Sequence, residues 1–374
     1  RESGLVGGSS AGDDSHITNG SIDISAADGL ASVIVGGQGF TLSQLQALSA
    51  GSPSAAISVE GGTLVLTGFT PSTSVGGVPT AGTLTYTYTL SGERTHSSAG
   101  NDDVQLSIPL SVTDAGNATA NGSLTIEVID DVPTAVNDSA NVASGEFQLV
   151  LDGNVLDNDT QGADGARVTG VGHEDDASET NVPGAGNLVI DGEYGKLTIH
   201  SDGSYSYQRA AGTPGGVQDV FTYTITDGDG DTANAELTIN IADATPTADV
   251  PTAGGASTTV YEAGLPGGSD SIADRATTSG TIEFTSADGV LAVSLGGNAL
   301  TTVDQVFATT GPDGSLTARY EYDAATGEGV IRYSYTLQET TVGDDTSASF
   351  PVVITDQDND SLPASNLLIT IVDD

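Results

Sequence analysis

Leu84-Thr-Tyr-Thr-Tyr-Thr-Leu90 alternates a large apolar side chain with threonine at every step. Successive side chains of an extended chain point to opposite faces, so this pattern buries one face, wets the other, and predicts a strand. The same grammar recurs in Phe221-Thr-Tyr-Thr-Ile225, Leu237-Thr-Ile-Asn-Ile241 and Ile331-Arg-Tyr-Ser-Tyr-Thr-Leu337. Asp-Gly pairs, prolines and 50 glycines punctuate these runs at roughly ten-residue intervals, the rhythm of an all-β sandwich. Helical turns are expected only around Leu42 to Leu48 and Thr302 to Phe307.

Outward from these strands the chain repeats itself. Gly20 to Gln38 reads GSIDISAADGLASVIVGGQ and Gly280 to Asn298 reads GTIEFTSADGVLAVSLGGN, an ungapped offset of 260 residues (280 − 20). Glu2, Gly4, Leu5 and Ser9 hold the same register with Glu262, Gly264, Leu265 and Ser269. Repetition at this scale marks modules joined end to end. Three strands end alike: Ile126-Glu-Val-Ile-Asp-Asp131 before Val132-Pro133, Ile239-Asn-Ile-Ala-Asp243 before Thr245-Pro246, and Ile369-Thr-Ile-Val-Asp-Asp374. The expected units are therefore 1–132, 133–245 and 246–374. The outer two are read as paralogous, the first N-terminally truncated, and the middle one as a different sandwich with the same ending. Three such units in line would span on the order of 100 Å.

Charge narrows the function. Of 51 acidic residues 37 are Asp; against them stand 8 basic ones, for a net charge of −43. Asp is poor in helices and strand centres but good in turns and as a ligand for hard cations, so the bias points to metal-binding loops, with Ca2+ the expected ion. Nucleic acid is excluded as a partner, since Lys196 is the only lysine and seven arginines are scattered singly. There is no Cys, hence no disulfide and no Cys-based zinc site, and no apolar run long enough to span a membrane as a helix. With neither signal peptide nor initiator Met, the sequence is expected to be part of a longer chain.

The aspartates cluster. Asp227-Gly-Asp229-Gly-Asp231 opens the hairpin before the last strand of the middle unit, and Asp356-Gln-Asp358-Asn-Asp360 does so in the third; the first has only Asp114-Ala-Gly-Asn117. Three carboxylates at alternate positions converge when such a loop curls, as a six- to eight-oxygen calcium site needs. These are not EF-hands: the sixth position is Thr232 or Ser361 and the flanks are strands. The competing reading is a polar Asp-Gly hairpin without metal, which is preferred for the first unit. A second constellation lies at the junctions: Asp130 and Asp131 with Asn137 and Asp138, and Asp157 and Asp159 available, then Asp243 with Asp249 and Glu262. Asp28-Gly29, Asp202-Gly203 and Asp288-Gly289 read as ordinary hairpin turns. Gly8-Ser-Ser10-Ala-Gly12 satisfies G-x-S-x-G, but no apolar strand precedes it, and no enzyme is expected. His16, His96, His173 and His200 show no metal-ligand spacing and are read as surface or turn residues. Outward threonines such as Thr83, Thr85, Thr87 and Thr89 are read as the wet face of a sheet.

The middle unit resembles the VCBS and cadherin-like repeats of giant bacterial surface adhesins. The residues are Val136-Asn-Asp138, Gly153-Asn-Val-Leu-Asp-Asn-Asp159, Tyr194-Gly-Lys-Leu-Thr-Ile199, Asp202-Gly-Ser-Tyr-Ser-Tyr207 and Phe221 to Asp231. The outer units, through Glu262-Ala-Gly-Leu-Pro-Gly-Gly-Ser269 and Gly280-Thr-Ile-Glu-Phe-Thr, are similar to repeat modules of type I-secreted RTX adhesins. The resemblance implies an all-β chain of three tandem Ig-like or cadherin-like β-sandwiches in an elongated array, rigidified by Ca2+. It further implies an extracellular place at a bacterial cell surface and a role in adhesion or biofilm formation. The implied partners are neighbouring adhesin modules, with the chain itself a monomer; the alternative is that one unit binds a peptide or glycan. The RTX nonapeptide is absent, Gly36-Gly-Gln-Gly39 coming nearest.

Overall fold

The computed structural model describes residues 1–97, 100–144, 150–174, 178–271, 274–309, 314–343 and 346–374. It contains six sheets and three separate hydrophobic clusters, each cluster enclosed by two sheets. The protein is three β-sandwiches in tandem.

In the first sandwich one sheet runs Ile17–Ser25, Val78–Leu90, Gly62–Val75, Ile57–Val59 in spatial order, and the other Gln38–Thr41, Leu30–Val35, Asp103–Asp114, Thr119–Ile129. In the middle the sheets are Val150–Asn154, Ser204–Arg209, Gly195–His200, Asn187–Asp191 and Thr180–Asn181, Arg167–His173, Val217–Thr226, Thr232–Ile241, Asp138–Val142. The third has Thr247–Asp249, Thr277–Thr285, Glu328–Leu337, Gly314–Asp323, Gln305–Ala308 facing Thr259–Tyr261, Ser365–Val372, Thr346–Thr355, Ala292–Leu295, Asn298–Ala299. Strand for strand, the order of the first sandwich recurs in the other two. The expectation that the middle unit is a different sandwich is therefore corrected. Its sequence lies outside the 260-residue register, but strand order follows from successive hairpins and tolerates loss of sequence similarity. The middle and third units also carry an edge strand parallel to the last one, Asp138–Val142 and Thr259–Tyr261.

Period-two burial builds each core. Leu84, Tyr86, Tyr88 and Leu90 are buried, as are Phe221, Tyr223 and Ile225, and Ile331, Tyr333, Tyr335 and Leu337. Between them threonines face outward and pair across strands: Thr83 donates to Asp23 (2.7 Å) and Thr336 meets Thr277 (3.0 Å). One cross-strand pair occurs in all three units, a glycine of the first strand opposite a tyrosine of the sixth: Gly20 with Tyr86, Gly153 with Tyr205, Gly280 with Tyr333. The ring lies over the glycine, where a Cβ on Gly280 would come 2.5 Å from Tyr333 Oη.

The repeat register holds in space. Ser21 pairs with Thr85 and Thr281 with Arg332, so the sequence offset changes between the two strands while the pairing is conserved. The intervening segment differs: the first unit forms the helix Leu42–Ala47, closed by a Thr41–Gln44 capping box. The turn expected at Thr302 to Phe307 is instead largely the edge strand Gln305–Ala308, as its Val306-Phe307 pair favours.

Candidate metal centres at the junctions

The three Asp hairpins share one backbone. The first aspartate's N–H donates to the carbonyl four residues on, and its Oδ1 accepts that residue's N–H: Asp227 with Asp231, Asp356 with Asp360, Asp114 with Ala118. The fourth position needs a left-handed residue, supplied by Gly230 (φ 112°), Asn359 (φ 75°) and Asn117 (φ 65°). With one oxygen tied down, the second points out of the loop: Asp227 Oδ2 and Asp356 Oδ2 are buried with no hydrogen-bond partner among the described residues. Positions three and five of the loop carry Asp229 and Asp231, or Asp358 and Asp360. In the first unit they are Gly116 and Ala118, and the hairpin is only a turn.

Each complete hairpin faces the preceding sandwich. At the first junction Asp130 of the linker comes together with Asp229 and Asp231, and Asp164 with Asp227 and Asp229, the ligand atoms of each trio lying within 4.8 Å of one another. Asp231 Oδ1 accepts the N–H of Gly100, binding the middle hairpin to the first sandwich. Asp130 Oδ2, Asp229 Oδ1 and Asp231 Oδ2 are likewise buried and unpartnered. At the second junction Asp243, Asp288 and Asp358 form the corresponding trio, and Thr245 Oγ1 donates to Asp360 (3.3 Å). Burial pushes Asp130 up to about 7, with Asp229 and Asp231 adding to it; burial and Asp164 push Asp227 up to about 6. Burial and Asp358 push Asp356 up to about 7. Carboxylates so arranged repel one another and lack donors, and a divalent cation supplies what both defects require.

Hairpin and linker aspartates, two separate constellations in the sequence, thus lie together at each junction. Several expected members stand elsewhere. Asp131 gives both oxygens to Ser9, including Ser9 N at 2.7 Å. Asn137 Oδ1 accepts from Glu236 N (3.0 Å). Asp138 and Asp159 together hold the Tyr223 hydroxyl (2.9 and 3.2 Å), with Asp157 exposed nearby, and they do not join Asp130. Glu262 is corrected most plainly. It is buried at the opposite pole of the third sandwich from Asp243, where it accepts from Thr341 N (2.6 Å), as Glu2 accepts from Arg94 N (2.6 Å) in the first. Asp249 lies exposed in an edge strand.

Residues 130–243 match the bacterial cadherin-like domain. The match starts and stops on the two linker aspartates. A curated relative, the calcium-binding lectin RapA2 of Rhizobium johnstonii, is 28% identical over 162 residues, 42% of this chain and 67% of the lectin. Among solved structures, a tetra-tandem repeat from the extending region of a large adhesion protein has 15% identity and TM-score 0.24, covering 95% of this chain and 70% of that one. Mouse cadherin-23 repeats EC22–24 have 13% identity and TM-score 0.27, covering 94% and 89%.

The cadherin-like unit shows what the sequence reading missed. Asp164-Gly165 and Asp288-Gly289 both stand just before corresponding strands of their units, Arg167–His173 and Ala292–Leu295, with Gly165 at φ 74° and Gly289 at φ 78°. Both aspartates enter a junction, so Asp288-Gly289 is not the ordinary turn it was read as; the clue was its recurrence at one place in every unit. Asp288 is fully buried. Its Oδ1 accepts from Arg209 (2.9 Å) and its Oδ2 from Ala244 N (2.7 Å). Arg209 pairs with Gly195 where Leu90 pairs with Gly62 and Leu337 with Gly314, so a core leucine position has become a cation reaching the next sandwich. An arginine thus bridges the second junction; among the described residues no arginine side chain pairs with an aspartate of the first. Among the described residues no helix is long and apolar enough to cross a membrane.

Proposed function

We propose that this region is a calcium-stabilised extender of a large bacterial surface adhesin, with the modules divided at about 132 and 245. The observation that carries the reading is the pooling of carboxylates from two sandwiches at one point, with buried oxygens that lack a donor among the described residues. Asp130, Asp164, Asp227, Asp229 and Asp231 hold calcium at the first junction, and Asp243, Asp288, Asp356, Asp358 and Asp360 at the second. An ion shared by linker, turn and hairpin fixes the angle between neighbours; without it like charges open the hinge. The matched cadherin-like domain, the lectin's calcium binding and the extending region of the adhesion protein support an extracellular, adhesive, non-catalytic role. Type I secretion and biofilm formation belong to the same reading. A site of about 0.1 mM affinity, usual for extracellular modules, adds about 2.7 kcal/mol at a hundredfold excess of calcium.

Small-angle scattering and melting of the chain in EDTA and in 10 mM calcium test this. The expected result is a longer, narrower distance distribution and a higher Tm with calcium; identical curves in both would end the proposal.

A second reading, that the third unit binds a glycan or peptide, is favoured by one groove of about 820 Å3 on its outer sheet. Phe284 and Tyr322 stack there (6.3 Å, 6°) among Asp249, Glu283, Glu321 and Asp323. Loss of glycan-array signal on Tyr322→Ala would support it.

A further inference from the structure

We propose that the first junction holds, beside its calcium ions, a transition-metal cation of the zinc class on Glu2, His96 and Asp130. Ligand atoms of these three residues lie within 4.8 Å of one another and all three side chains are buried. They come from three places far apart in sequence, so no local motif announced them. His96, read from the sequence as a surface or turn residue, has a fully buried side chain.

Its hydrogen bonding fixes its chemistry. Nδ1 lies 2.6 Å from Asp102 Oδ1, and a carboxylate only accepts, so Nδ1 carries the proton and Nε2 presents its lone pair to Glu2 and Asp130. A carboxylate behind a histidine, orienting its free nitrogen, is the usual second layer of a metal-bound imidazole. Among the described residues Nε2 is buried with no hydrogen-bond partner, as is Asp130 Oδ2. Nε2 stands 3.4 Å from Glu2 Oε1. That is long for a charge-assisted hydrogen bond but matches two donors each ~2.1 Å from one ion with a tetrahedral angle between them.

The donor set selects the ion. Calcium takes oxygens and Mg2+ keeps its waters, whereas an imidazole nitrogen with two carboxylates suits Zn2+ or Mn2+. The alternative occupant of the pocket is a proton, giving an imidazolium that pairs with Asp102 and Glu2. One proton leaves Asp130 Oδ2 unpartnered and sets one positive charge against Glu2, Asp102 and Asp130, with Asp229 and Asp231 adjoining. The third sandwich provides an internal control. Glu262 and Ser269 repeat Glu2 and Ser9, Ser269 holding Asp374 (2.7 Å) as Ser9 holds Asp131, but Gly343 follows Thr341 where His96 follows Arg94. Calcium-type carboxylates are therefore retained at both poles, and the nitrogen ligand belongs to the first alone.

The test is zinc titration of the full chain, calcium-saturated and free of chelator, by calorimetry and by imidazole 15N NMR. Wild type is expected to bind one Zn2+ more tightly than any further zinc, with the His96 Nε2 resonance moving in step. His96→Gln should abolish this site. Asp102→Asn, which keeps the pocket's shape should the first variant fold poorly, should weaken it about 10- to 100-fold. The calcium-induced rise in Tm, measured without zinc, should persist in both, so a failed zinc site and a failed calcium reading are told apart. Zinc isotherms identical in wild type and Asp102→Asn, no preferred first zinc, or an unmoved His96 resonance at saturation would each overturn the proposal.

Discussion

A single oxygen decides whether an Asp hairpin is a turn or half a site. Asp114, Asp227 and Asp356 all satisfy their own loop with Oδ1, but only the last two are followed by carboxylates at the third and fifth positions. Asp229→Ala is therefore expected to lower the calcium-induced gain in Tm, while Asp114→Ala leaves that gain unchanged; scanning calorimetry with and without calcium reads both. Arg209 and Asp288 make the complementary case, a cation supplied by the chain. Arg209→Ala strands a buried carboxylate and should destabilise by about 3–5 kcal/mol in urea unfolding in EDTA, whereas Arg209→Met with Asp288→Leu together should come out near neutral there, where no ion needs Asp288. A double variant as damaging as the single would mean that Asp288 is needed for more than the arginine.

At the scale of the element, the glycine opposite a tyrosine governs how the first and sixth strands meet. Gly280→Val puts a side chain where the Tyr333 ring lies, so the ring must leave its well, at about 1–3 kcal/mol. The equivalent change at Gly153, against Tyr205, should have a like effect, and the two should be additive because they lie in separate cores. Guanidinium unfolding of the single and double variants checks this. A negligible loss at either position would show that the aromatic rings move freely over the sheet.

Across the whole molecule, charge sets the response to pH. Burial holds Asp130 and Asp356 at about 7 and Asp227 at about 6, above the unfolded aspartate value near 3.8. Between these limits the folded state without calcium binds more protons than the unfolded one, so its stability rises as pH falls from 7.5 toward 4.5. With calcium the slope inverts, because the ion requires the ionised form and is lost as the carboxylates protonate. Melting curves over pH 4.5–7.5 in EDTA and in calcium should therefore slope in opposite directions. The junctions should also differ in EDTA: the first, whose aspartates pair with no arginine side chain among the described residues, loosens more than the second, which Arg209 bridges. Distance measurements between spin labels across each junction would read that difference.

Alternation of Tyr and Thr at 84–90 and of apolar and polar residues at 331–337 was enough to read strands, because side-chain direction in an extended chain depends only on position parity. The Asp-x-Asp-x-Asp hairpins were legible for the same local reason: five residues contain both the turn and its carboxylates. What Asp130 and Asp288 do was not. Asp130 meets Asp229 and Asp231 about a hundred residues away, and Asp288 meets Arg209 from another sandwich, so their roles exist only once two poles are brought together. Glu262 was misplaced because nearness in sequence to Asp243 was taken for nearness in space, whereas crossing the sandwich carries the chain to the other pole. Likewise the middle unit's strand order, invisible in its diverged sequence, is set by which hairpins stack on one core. The sequence by itself determined the strands, the hairpins and the acidic charge at the hairpins; packing of one sandwich upon the next decided which carboxylates come together, because that contact joins residues about a hundred positions apart.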